Sequence, residues 1–177
     1  PAAAARRRRW RFPKVTALMR AAAGGHLAVV HRLVAAGADV DHGCAEFGPQ
    51  GPVYRTALME AVRADRPEVA RALLDAGAAV DNRQPNNVDQ ETPLIAAAKV
   101  GSARMAALLL ARGARADAQD VPNAGYDTGH TALMYAARGG HLEVVRLLAR
   151  AGADLCVRTL EEDGGPPGGV PRGPGGG

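Results

Sequence analysis

Apolar positions along this chain follow two alternating helical phrases. From Thr131 the sequence reads TALMYAARGGHLEVVRLLARAGADL, and worn copies of it begin at Thr16, Thr56 and Thr92. The four superpose without a gap from the Thr to the Ala after the last Gly, with starts 40, 36 and 39 residues apart. In the first phrase Leu18, Ala21 and Ala22 fall at i, i+3 and i+4, which is one face of a helix. Val30, Leu33 and Val34 do the same in the second. The leading Thr is a good N-cap. Gly24-Gly25 breaks the first helix and permits a tight turn. The second copy uses Asp65-Arg66-Pro67 there, with Pro suited to a first helical position. Gly37, Gly77, Gly113 and Gly152 stand where a C′ glycine ends a helix.

A single such pair leaves its apolar face open, so the pairs must stack. The expected fold class is all-α, a solenoid of helix-turn-helix repeats. Composition agrees: 47% of residues are apolar but only 3% aromatic, which points to closely packed Ala, Leu and Val helices. At 177 residues the chain is long enough for a short solenoid.

These residues resemble the ankyrin repeat. Its Thr-Pro-Leu-His-x-Ala motif is present as TPLIAAA at Thr92 and as TALM in the other copies. The Gly-His turn stands at Gly25-His26 and Gly140-His141, and the Gly-Ala-Asp ending at Gly37-Ala38-Asp39 and Gly152-Ala153-Asp154. The motif His is replaced by Met19, Met59, Ile95 and Met134, and the third turn has Ser102 for His. The resemblance implies that His26 and His141 are structural, bonding backbone. It also implies that Asp41–Arg55, Asp81–Glu91 and Asp117–His130 are β-hairpin-like fingers, lengthened relative to a family period of about 33 residues. Extra length there elaborates a surface.

The chain divides into a basic N-terminal tail at 1–15, a repeat domain at 16–160 and a Gly/Pro-rich tail at 161–177. The first segment holds five Arg and one Lys without an acid, whereas residues 16–160 carry 15 basic and 15 acidic side chains. The net charge of +4 therefore belongs to a tail. Arg6–Arg11 reads either as a nuclear-import or nucleic-acid patch or as a solvated linker, and the linker is favoured. The last segment cannot bury a core and is expected to be disordered. Val144, Val145, Leu147 and Leu148 give the fourth repeat the face of an internal one rather than a cap. With Pro1 in place of Met, this suggests a fragment of a longer chain.

Candidate chemistry changes this picture little. There is no GxxxxGK[ST], GxSxG or HExxH, so no enzyme is expected. Asp41, His42 and Cys44 share a finger but lack a fourth ligand, so neither metal nor cofactor is expected. Cys44 and Cys156 lie three repeats apart, too far to bridge. No apolar run approaches the ~18 residues that span a membrane. Without a signal peptide or a disulfide framework, the expected setting is intracellular, cytoplasmic or nuclear.

One distribution does single out a surface. Outside the tail the aromatics are Phe47, Tyr54, Tyr126 and Tyr135, three of them in fingers. Tyr135 occupies a variable first-helix position, equivalent to Arg20, Glu60 and Ala96, and is expected to face outward. By resemblance, fingers and first helices line the concave groove where ankyrin proteins bind partners. Arg20, Arg63, Lys99 and Arg138 form a basic row on the first helices, while the fingers hold eight acids and two bases. The groove is expected to be basic on its floor and acidic at its tips. That favours a protein partner of mixed charge over nucleic acid. The partner-binding candidates are Tyr54, Arg55, Glu60, Arg63 and Glu91, followed by Lys99, Tyr126, His130, Tyr135 and Arg138. The expected function is non-catalytic protein binding by a monomer. The alternatives are a targeting module of a larger multidomain enzyme and nucleic-acid binding through the Arg-rich tail.

Overall fold

The computed structural model describes residues 15–48, 51–81, 91–120 and 129–157. Among these residues eight helices form four pairs: α1 (Ala17–Gly24) and α2 (Leu27–Ala35), α3 (Ala57–Arg63) and α4 (Pro67–Asp75), α5 (Pro93–Val100) and α6 (Ala103–Ala111), α7 (Ala132–Arg138) and α8 (Leu142–Arg150). First helices stack in the order α1, α3, α5, α7, and second helices in the order α2, α4, α6, α8. The expected all-α solenoid is what forms. Its first finger is a true hairpin, with β1 (Cys44–Gly48) antiparallel to β2 (Gly51–Arg55) and Cys44 opposite Arg55. The third finger closes at its base through an isolated antiparallel bridge between Gln119 and Thr131. Most of the second finger lies outside the described residues, as do both tails.

Each first helix starts where the Thr spacing says it must. The hydroxyls of Thr16, Thr56, Thr92 and Thr131 accept the backbone N–H of Met19, Met59, Ile95 and Met134. Pro67 opens α4 at the first turn. Met19, Met59 and Ile95, standing where the family motif has His, are buried in the stack. The Cys44 thiol packs against the Met19 sulfur at 3.5 Å. Cys44 is buried and Cys156 is exposed.

The seams between repeats are polar and periodic. Asp41, Asp81 and Asp117 occupy equivalent positions, and each accepts a backbone N–H from the next repeat: Ala79 at 3.0 Å, Arg115 at 3.1 Å and Asp154 at 2.9 Å. A second seam runs through the turns. The side chain of Arg66 packs over Gly25, the Ser102 hydroxyl donates to Asp65 at 2.6 Å, and the His141 ring lies against Gly101 so closely that a Cβ there would sit 2.5 Å from it. Asp65 is the non-glycine member of the turn series and takes a positive φ of 50°. Asp tolerates that region better than most residues, and its carboxylate meets the Ser that replaces the turn His.

Burial shows that each repeat is completed by its neighbours. Val69, Met105 and Val144 are buried by the preceding repeat, whereas the equivalent Val29 of α2 is 49% exposed. Leu18, Leu58 and Leu94 are buried by the following repeat, and Leu133 only partly so.

Candidate partner-binding site

Most of the described candidate residues converge along one edge of the first-helix layer, where the finger ends return to it. Arg55 closes the first finger and lies over α3. Its Nε and Nη2 donate to the two Glu60 carboxylate oxygens at 2.5 and 2.7 Å, a bidentate pair. Glu91 closes the second finger directly before the Thr92 cap. Its carboxylate takes Arg63 of α3 at 2.6 Å on one oxygen and Lys99 of α5 at 2.8 Å on the other. One carboxylate thus ties two consecutive repeats together. Glu91 is only 7% exposed. Burial pushes its pKa up, but Lys99 and Arg63 outweigh that by charge and hydrogen bonding, and the net direction is downward. The carboxylate stays ionised while its partners keep their heads toward solvent.

Tyr135 of α7 continues the network into the fourth repeat. Lys99 Nζ stands 4.3 Å from its ring centroid and the Arg138 guanidinium 5.3 Å, both within cation–π range. The His130 ring lies 5.4 Å away at a 40° tilt. The phenol donates to Asp120 at 2.6 Å, and the other Asp120 oxygen accepts the His130 backbone N–H at 2.7 Å. Burial, followed by the Asp120 hydrogen bond, raises the Tyr135 pKa well above its ordinary value, so the phenol remains a donor. Nδ1 of His130 is buried with no hydrogen-bond partner among the described residues.

The structure therefore places Arg55 with Glu60, and gathers Arg63, Glu91, Lys99, His130, Tyr135 and Arg138 in one chain of contacts. The side chain of Tyr54, and all of Tyr126, lie outside what is described. The same holds for the aromatic side chain of Phe47 and for Arg6–Arg11. The variable first-helix position is not uniformly outward as expected. Arg20 is exposed, but Glu60 and Ala96 are buried and Tyr135 is half-buried. The reason at two of them is the finger that returns over the helix, bringing Arg55 onto Glu60 and Asp120 with His130 onto Tyr135. Glu60 and Glu91 hold cations in place and offer little surface of their own.

Asp120 is the member that sequence reasoning missed as a site residue. It lies in a finger beyond the gap-free repeat alignment, so no equivalent marks it. Five of the eight finger acids are engaged within the fold: Asp41, Asp81 and Asp117 at the backbone seams, Glu91 with two cations, and Asp120 with Tyr135 and His130. The remaining finger acids, the Glu46 side chain with Asp89 and Asp127, lie outside what is described. Among the described residues no three His, Cys, Asp or Glu side chains group as metal ligands, and no helix is long and apolar enough to cross a membrane.

Paired helices, polar seams and finger ends folded back on the first-helix layer define a helix-pair repeat solenoid with a built polar edge. The chain belongs to the ankyrin repeat family: the family model described as ankyrin repeats (3 copies) matches residues 8–84 and 58–159. Ankyrin repeats generally serve as protein–protein interaction modules. Ankyrin repeat and KH domain-containing protein 1 of Homo sapiens is 43% identical over 104 residues, which is 59% of this chain and 4% of that protein. Ankyrin repeat and SAM domain-containing protein 6 of Danio rerio is 38% identical over 141 residues, 79% of this chain and 17% of its own length. Ankyrin repeat and KH domain-containing protein mask-1 of Caenorhabditis elegans is 31% identical over 147 residues, 81% and 5% respectively. The chain spans less than a fifth of each of these relatives.

Proposed function

We propose that this chain is a non-catalytic protein-binding module that takes its partner along the first-helix and finger edge. The observation that carries the reading is the contact chain from Arg63 through Glu91 and Lys99 to Tyr135 and Asp120. It fixes long side chains from three consecutive repeats before any partner arrives, which lowers the ordering cost of binding. Tyr and Arg are also the residue types that most often anchor interfaces. Among the described residues of this edge, Glu60 pairs with Arg55 and Glu91 with Arg63 and Lys99.

The test replaces Tyr126, Tyr135 and Arg138 together with Ala. A partner isolated by affinity capture on the wild-type chain is then titrated against both proteins. Binding is expected to weaken at least about tenfold, which corresponds to about 1.4 kcal/mol. Wild-type affinity in a variant with unchanged thermal stability would show that the partner binds elsewhere.

A second reading follows from the relatives, whose names place KH or SAM domains beside ankyrin repeats. In it, the same edge serves as the targeting module of a longer protein. The binding mechanism is unchanged, and sequencing the full open reading frame decides whether other domains accompany it.

A further inference from the structure

Among the described residues the charges along the edge are not balanced, and the imbalance has a defined geometry. Arg63, Lys99 and Arg138 occupy the same position, seven residues after the motif Thr, on α3, α5 and α7. Stacked helices lie about 8–10 Å apart, so the row presents cations at about that interval. The residue before each motif Thr decides whether an acid is supplied to them. Between the second and third repeats that residue is Glu91, which binds both Arg63 and Lys99. Between the third and fourth it is His130. The described acid at that gap, Asp120, is engaged by the Tyr135 phenol and the His130 backbone. Arg138 stacks on Tyr135 and meets no carboxylate among the described residues. Its guanidinium is exposed, with donor edges suited to a bidentate carboxylate.

Resting on the protein-binding reading above, we infer that the α5–α7 part of this edge takes an acidic protein segment whose carboxylates engage Arg138 and Lys99. The described finger acids do not oppose this, because Asp41, Asp81, Glu91, Asp117 and Asp120 are engaged within the fold. Single-stranded nucleic acid fits less well. It needs an open aromatic face for base stacking, and the Tyr135 ring is already approached by Lys99, Arg138 and His130. Glu91 and Asp120 also interrupt the continuous cationic track that a phosphate backbone follows.

The probe is a fluorescein-labelled 12-residue peptide with Glu at every third position among Gly and Ser. In a polyproline II conformation, with three residues per turn, that spacing sets carboxylates on one face about 9 Å apart. Fluorescence anisotropy compares it with its Gln counterpart and with a 12-nucleotide oligo-dT. The Glu peptide is expected to bind at least about tenfold more tightly than either, and less tightly as salt rises. Arg138→Gln removes an exposed cation that meets no carboxylate among the described residues. It should weaken binding about tenfold with unchanged melting. Equal binding of the Glu and Gln peptides, indifference to Arg138→Gln, or preference for oligo-dT would each overturn the inference. If the captured partner still depends on Tyr126, Tyr135 and Arg138 while the Glu and Gln peptides bind alike, the acidic-segment inference fails and the groove reading stands.

Discussion

Glu91 shows how one buried side chain can tie two repeats together. A carboxylate this buried is costly unless paired, and it is paired on both oxygens. Because Arg63 and Lys99 are each more than a third exposed or nearly so, water screens part of the attraction. Replacing the carboxylate by an amide is therefore expected to cost about 1–2 kcal/mol near neutral pH rather than the full value of a buried pair. The pH dependence has a definite sign. The folded-state pKa lies below the ordinary value of 4.5, so on acidification the unfolded chain takes up this proton first. The contribution is complete above that value and is lost as pH falls through the lowered one. Chemical denaturation of wild type and Glu91→Gln across the acid range should show a gap that is constant near neutrality and closes below the carboxylate range. A gap that widens on acidification would mean that the pair does not act as described.

At the scale of elements, the periodic Asp seam is the device that sets one repeat against the next. Asp41 accepts the Ala79 N–H with both oxygens, at 3.0 and 3.3 Å. Asp41→Ala is expected to cost about 1 kcal/mol and Asp41→Asn less, since the amide oxygen can still accept. Denaturant midpoints at unchanged m-values would check this, and equal loss in both variants would point to charge rather than the bond. The helices themselves were legible from spacing alone: Thr caps, paired Ala and terminal Gly each have one local cause. The seam was not. Asp41, Asp81 and Asp117 recur in register, but read as the first residues of fingers because their partners lie in the next repeat. The turn seam was hidden for the same reason. Ser102 looks like a defect in its own repeat and becomes intelligible only beside Asp65 of the preceding one. Basic residues on first helices could be assigned to a row by offset. That Glu60 and Ala96 would be buried could not, because the offset says nothing about where a finger returns.

At the scale of the whole molecule, each repeat completes its neighbours, and that makes position along the stack as important as residue type. Leu94 of α5 and Leu133 of α7 are the same motif Leu. Leu94 is fully buried between flanking repeats, whereas Leu133 has a preceding repeat and no described helix pair beyond it. Truncation at a fully enclosed Leu leaves a cavity and costs about 2–5 kcal/mol, while a partly open site loses less contact and relaxes more. Leu94→Ala should therefore destabilise the protein at least about twofold more than Leu133→Ala. Native-state hydrogen exchange should show α5 and α6 opening with the highest free energies and α8 with lower ones. The candidate edge draws on α3, α5 and α7, so a partner that spans it links repeats of unequal stability. Binding at 100 times Kd adds about 2.7 kcal/mol to the bound unit. That increment should appear as slower exchange in α7, the outermost of the three helices, more than in α5, which is already enclosed. Equal protection of α5 and α7 in the free protein, or no added protection of α7 on binding, would mean that the stack opens as a single unit and that the edge does not couple its repeats.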